Sequence, residues 1–165
     1  LFLWLLLAES GESEPHRWWA AVVFAVASFT DWLDGDLARR RQLVTNFGKV
    51  ADPIADKALM GSALIGLSLL GELPWWVTVI ILVRELGITA LRFWVIRRGV
   101  IAASKGGKLK TMLQAIGLLL LIAPLTGFLH TTGLWIMYAA VVVTVVTGVD
   151  YVIQALRLRR STEAR

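Results

Sequence analysis

Long apolar runs constrain this chain more than any other feature. A helix that crosses a bilayer needs roughly 20 largely apolar residues, about 30 Å at 1.5 Å per residue. The stretches at about 17–37, 50–70, 75–96, 113–130 and 133–156 reach or approach that length, and short charged or turn-forming segments separate them. Residues 1–8 are also apolar, but they span only about 12 Å at the same rise. They have no basic leading region and no cleavage site, so a signal peptide fits them poorly. They read as the tail of a first helix whose start lies outside this sequence. The expectation is one all-α domain over residues 1–165. It is an integral membrane bundle of six transmembrane helices, the first truncated.

Composition agrees. The chain is 57% apolar and 18% charged and has no cysteine, against about 45–50% and about 25% for soluble domains. Disorder and a disulfide-stapled module are excluded. A net charge of +5 could suggest nucleic acid, but the charges are placed otherwise. Arg39, Arg40, Arg41 and Lys49 follow the second run. Arg97, Arg98, Lys105, Lys108 and Lys110 follow the fourth, and Arg157, Arg159, Arg160 and Arg165 close the chain. The alternate connections, at residues 9–16, 71–74 and about 131–133, hold only Arg17 at an edge. Thirteen against one is a positive-inside pattern. It predicts a multi-pass protein of the cell membrane with both termini in the cytoplasm and no nucleic-acid partner. Trp18, Trp19, Trp75, Trp76 and Trp135 then mark the outer ends, with Trp32 and Trp94 near the inner ones.

Carboxylates in membrane helices need a reason, since an isolated one costs about 2.5–3.5 kcal/mol at a helix centre on insertion scales. Asp31, Asp34, Gly35 and Ala38 fall at i, i+3, i+4 and i+7, one stripe of a helix. Gly48, Asp52, Ala55 and Asp56 form a second stripe beyond a short loop, so the two stripes are expected to face each other near the cytoplasmic surface. Four clustered carboxylates repel unless a cation holds them. An all-oxygen set without histidine or cysteine selects hard ions such as Mg²⁺, Mn²⁺ or Ca²⁺. Four carboxylates from two helices suit a two-metal clamp for phosphoryl substitution. Gly35 and Ala38 leave room for a ligand against the helix.

The run Asp31-x2-Asp34-Gly35-x2-Ala38-Arg39-x8-Gly48-x3-Asp52-x3-Asp56 resembles, without gap or substitution, the signature of the CDP-alcohol phosphotransferases. Eight fixed positions match by chance with a probability on the order of 10⁻¹⁰ per start site. The resemblance implies a six-helix membrane enzyme, usually a homodimer, with two divalent cations (Mg²⁺ or Mn²⁺) in a cytoplasm-facing site. Such enzymes transfer a phosphatidyl or similar group from a CDP-linked donor to an alcohol and release CMP. It further implies Asp31, Asp34, Asp52 and Asp56 as metal ligands and Asp56 as the catalytic base toward the acceptor hydroxyl. Asp31, Asp34, Gly35, Ala38, Arg39 and Thr45 match the part that holds the CDP-lipid.

The second half bears on the acceptor. Arg84 lies inside an apolar run, where an unpaired guanidinium is expensive, so Glu85 or a ligand phosphate is the expected partner. Arg92 lies two turns further on, and Lys108, Thr111 and Gln114 recur every three residues. With Lys110, these residues suggest a cationic pocket for an acceptor that bears its own phosphate. Residues 31–57, with Arg84-Glu85, Arg92 and the segment Gly107–Gln114, resemble the family members that join CDP-diacylglycerol to sn-glycerol 3-phosphate. Those two substrates, the surrounding membrane lipid and a second copy of the chain are the implied partners.

Inositol phosphate would use similar cations and is the alternative acceptor; serine, without a phosphate, gives no reason for the buried arginine. An ion-coupled transporter would instead place carboxylates near the midplane of matching halves, and the second half has no such counterpart. His16 and His130 read as interfacial polar residues. Asp150 is expected to pair with another buried polar group, and Gly61, Gly66, Gly87 and Gly117 to allow close helix approach.

Overall fold

In the computed structural model every described element is helical. The described backbone covers residues 1–41, 48–95 and 105–163, with the side chains of 1–30, 33, 57–91 and 109–155. Helix α1 is Phe2–Leu7, followed by a 3-10 turn at Ala8–Gly11. Then come α2 (Glu14–Arg41), α3 (Gly48–Leu69), α4 (Trp75–Val95), α5 (Lys105–Ile122) and α6 (Phe128–Glu163).

The helix ends follow from local chemistry. Pro15 sits in the first turn of α2, where its missing N–H costs nothing. After α3, Gly71 adopts φ +75°. The Glu72 N–H donates to Leu67 O at 3.0 Å and the Gly71 N–H to Ser68 O at 3.2 Å. That is a Schellman closure, which satisfies carbonyls left open at the helix end.

Helix α5 stops at Ile122 because Pro124 cannot extend it, and Gly127, at φ +64°, turns the chain into α6. This corrects two boundaries. The connection lies at 123–127 rather than about 131–133, and the fifth helix runs over 105–122 rather than 113–130. Hydropathy carried the run across two breakers, whereas Thr131 and Thr132 already bond back to Gly127 O and Phe128 O in the first turns of α6. Likewise α6 continues past residue 156 to Glu163, since leucine and arginine there are good helix formers although the apolar run has ended.

Helix α6 packs on α5 and α4, α2 on α1 and α5, and α3 touches α1, α4 and α5. Phe24, Leu64, Leu67, Val77, Ile81, Leu118, Leu121 and Met137 form a core with almost no exposure. Leu6 closes it from α1 by lying over Gly66, where an added Cβ would stand 2.6 Å from the Leu6 Cδ2. Gly117 similarly admits Met137. Gly61 makes only ordinary contact, and an added Cβ at Gly87 would meet nothing within 4 Å. Close helix approach therefore holds for Gly66 and Gly117 and is corrected for Gly87.

The exterior is also apolar. Val22, Val26, Phe29 and Leu33 are exposed at helical spacing along α2, as are Val79, Val83 and Leu86 along α4 and Val142, Val145, Val149 and Ile153 along α6. Such patches mark surfaces that meet lipid or protein. Among the described residues one helix, Phe128–Ala155 with mean hydropathy 2.0, is by itself long and apolar enough to cross a membrane.

One end of the bundle is clamped by a residue that reads, in sequence, as an edge charge. Arg17 is buried. Its Nε donates to Ile122 O at 3.0 Å, its Nη2 to Glu72 Oε2 at 2.7 Å, and its guanidinium also reaches Glu72 Oε1 and Leu121 O. It thus caps the carbonyl end of α5 from α2 while pairing with the α3–α4 turn. His130 Nε2 lies 3.8 Å from Glu72 Oε2 at the same end. His16, by contrast, pairs locally with Ser13 Oγ at 2.6 Å. The exposed rings of Trp18, Trp19, Trp75, Trp76 and Trp135 belong to the helix starts that surround this clamp. Trp76 stacks on Tyr138 with ring centroids 5.5 Å apart.

Candidate active site

Helix α2 runs unbroken through Asp31, Asp34, Gly35, Ala38 and Arg39, and α3 through Gly48, Asp52 and Asp56. Stripe spacing requires just such continuity. The side chains at those positions, and Thr45 altogether, lie outside the described residues, as do the side chains of Arg92 and Lys108. Among the described residues no three histidines, cysteines or carboxylates gather as a metal site.

The cationic residues are described in more detail. Arg84 and Glu85 sit on α4, Lys110 and Gln114 on α5. Glu85 Oε1 accepts from Arg84 Nη1 at 3.1 Å and also from Lys110 Nζ. The Arg84–Glu85 pairing is the one expected from sequence. The side chain of Lys110 is 7% exposed, that of Arg84 16% and that of Glu85 22%, so the three form a largely desolvated layer. Arg84 Nη2 reaches Thr147 Oγ1 at 3.1 Å, and Gln114 Nε2 reaches Thr144 Oγ1 at 3.3 Å. Arg84 Nε is buried with no hydrogen-bond partner among the described residues. Thr111 is exposed beside buried Lys110 and Gln114.

Three threonines of this layer went unread in the sequence. Thr144 and Thr147 interrupt an aliphatic run at a three-residue spacing, and that interruption was the available signal. Thr89 Oγ1 donates to the Glu85 carbonyl at 2.7 Å and accepts from Lys57 Nζ, tying α3 to α4. Gly148 leaves space for the Arg84 stem, whose Cγ would stand 3.3 Å from an added Cβ. Asp150 does not join the layer. It is exposed and accepts from Gln154 Nε2 at 2.8 Å on its own helix, which corrects the expected buried pair.

Two apolar grooves lie between the helices. One, of about 490 Å³ between α2 and α5, is lined by Phe24, Ala25, Phe29, Ala115, Ile116 and Leu119, and Phe29 lies two positions before Asp31. The other, of about 670 Å³ between α4 and α6, runs past Arg84 along Val79, Val83, Val149 and Ile153.

Residues 1–146 match the family described as CDP-alcohol phosphatidyltransferase. A protein of Mycobacterium tuberculosis named probable phosphatidylglycerophosphate synthase is 57% identical over 157 residues, covering 95% of this chain and 75% of the relative. The CDP-diacylglycerol–glycerol-3-phosphate 3-phosphatidyltransferase of Bacillus subtilis is 41% identical over 91% of this chain and 80% of its own length. The Escherichia coli protein of that name is 37% identical over 80% of this chain and 75% of its own length. With the signature on two continuous helices and this match over most of its length, the chain belongs to the CDP-alcohol phosphatidyltransferase family.

Proposed function

We propose that this chain transfers the phosphatidyl group of CDP-diacylglycerol to sn-glycerol 3-phosphate, giving phosphatidylglycerol phosphate and CMP. The observation that carries the reading is that α2 and α3 run through every position of the aspartate signature in a chain so similar to relatives named for this reaction. Asp31, Asp34, Asp52 and Asp56 would hold two divalent ions, Mg²⁺ or Mn²⁺. When bound, such ions neutralise the pyrophosphate and favour departure of CMP. Asp31, Asp34, Gly35, Ala38, Arg39 and Thr45 form the CDP-lipid side, and the apolar α2–α5 groove beginning just before Asp31 offers space for an acyl chain. Asp56 takes the proton of the acceptor hydroxyl.

On the acceptor side, Arg84, Arg92, Lys108, Lys110, Thr111 and Gln114 attract and orient the phosphate. Charge-assisted hydrogen bonds in a desolvated layer favour a dianion over a neutral alcohol. The exposed apolar stripes on α2, α4 and α6, the tryptophans around the clamped end and the positive-inside pattern support a six-span bundle in the cell membrane. Its reaction site and both termini face the cytoplasm. A homodimer belongs to the same reading, by the family resemblance.

The test is CMP release by the purified protein in lipid, with CDP-diacylglycerol as donor and glycerol 3-phosphate, inositol phosphate and serine offered in parallel. Turnover is expected only with glycerol 3-phosphate and a divalent ion. Asp56→Asn should fold and lose activity by roughly 10²–10⁴-fold. Reaction with inositol phosphate alone would sink the acceptor assignment, and full activity of Asp56→Asn would remove that residue from the mechanism.

A further inference from the structure

We propose that Glu85 is a positioning residue that sets the affinity for the acceptor's phosphate, an inference that rests on the functional reading above. One oxygen of its carboxylate is the meeting point of two cations from different helices, Arg84 of α4 at 3.1 Å and Lys110 of α5. Two positive heads do not converge unaided in a layer of low dielectric, since their repulsion is strengthened there. A carboxylate between them holds both at the geometry that the oxygens of a phosphate require. Glu85 is the only carboxylate among the described residues of this layer.

The main chain of the same residue fixes a third element. The Glu85 carbonyl accepts from Thr89 Oγ1 at 2.7 Å, and that hydroxyl accepts from Lys57 Nζ of α3. Lys57 directly follows Asp56. Side chain and backbone of one residue therefore join the cations of α4 and α5 to the helix that carries the proposed base. A phosphate held by Arg84 and Lys110 would thus be bound between helices that are tied to α3 through Lys57 and Thr89. Glu85 itself touches no substrate in this account; it acts through the cations.

The experiment measures kcat and the KM for each substrate of Glu85→Gln and Glu85→Asp in lipid, with unfolding midpoints for both. For Glu85→Gln the KM for glycerol 3-phosphate should rise roughly tenfold or more, the loss expected when charged hydrogen bonds are misaligned. The KM for CDP-diacylglycerol and kcat should stay within about twofold, as expected of a residue that acts only through the acceptor's cations. Glu85→Asp, which keeps the charge, should recover part of the acceptor affinity. An unchanged acceptor KM overturns the proposal, as does a uniform loss in all constants together with a lowered midpoint.

A second arm needs no turnover. Inorganic phosphate should raise the unfolding midpoint of the wild type and do so less for Glu85→Gln; equal shifts overturn the proposal. If the wild type releases no CMP with glycerol 3-phosphate, the functional reading fails, while the phosphate comparison still decides the role of Glu85.

Discussion

Two arginines lie beside glutamates inside this bundle, and they are used in opposite ways. Arg17 spends its guanidinium on both Glu72 oxygens and on two carbonyls at the end of α5. Its partners come from the α3–α4 turn and from α5, so it ties three parts of the chain at one end. Arg84 shares its glutamate with Lys110, takes a neutral threonine as its other partner, and keeps a buried Nε without one among the described residues. A cation whose three guanidinium nitrogens are all engaged by the protein stabilises the fold and has little left for a ligand. A cation that shares one carboxylate with another cation, and keeps a buried Nε without a partner among the described residues, has donors left for a phosphate oxygen.

The sharpest way to break this comparison is Arg17→Ala. Removing one partner of a buried pair costs about 3–5 kcal/mol, because the other charge is left uncompensated. Glu72 and the Leu121 and Ile122 carbonyls would all lose their donor. Unfolding in mild detergent should show a loss of that size. The acceptor KM of the protein still folded should stay within about twofold of wild type, because uniform binding is untouched. An acceptor-specific defect in Arg17→Ala would erase the distinction between the two ends.

Arg84→Ala comes next and should reverse the pattern. Its stability loss should be smaller, about 1–2 kcal/mol, since Glu85 keeps Lys110 as a partner. Its KM for glycerol 3-phosphate should rise by roughly ten- to hundredfold, the equivalent of about 1.5–3 kcal/mol of charged hydrogen bonding. Steady-state kinetics on the folded fraction would measure it. A stability loss as large as that of Arg17→Ala, with KM unchanged, would make Arg84 a second clamp.

The sequence was most informative where a pattern has one physical solution. The aspartate stripes require helices, and α2 and α3 are continuous through them. Arg84 at its depth required a partner, and Glu85 is there. Residues whose meaning depends on a partner far along the chain were not legible. Arg17 lies at the edge of a charged loop in sequence, and only the fold brings Ile122 to it across 105 positions. Thr144 and Thr147 look like tolerated polar residues in an aliphatic helix until α4 and α5 supply Arg84 and Gln114. The α5–α6 boundary failed for another reason. Hydropathy averages over Pro124 and Gly127, whereas the backbone cannot.

The smallest effect belongs to Thr147→Val, which tests whether Glu85 or α6 holds Arg84. The Thr147 hydroxyl accepts from Arg84 Nη2 at 3.1 Å, and as a donor it bonds Val143 O at 2.7 Å in its own helix. Valine keeps the branched shape and deletes these bonds together with the weaker one to Thr144 O. Hydrogen bonds of this kind between helices in a membrane average about 0.6 kcal/mol, so the unfolding midpoint should move only slightly. If Glu85 and Lys110 fix the guanidinium, the acceptor KM should change by less than about threefold, which is that energy expressed as a ratio. A KM increase as large as that of Arg84→Ala would mean that α6 aims the guanidinium and that the carboxylate only balances its charge. The contrast between the two arginines would then rest on a neutral hydroxyl rather than on Glu85.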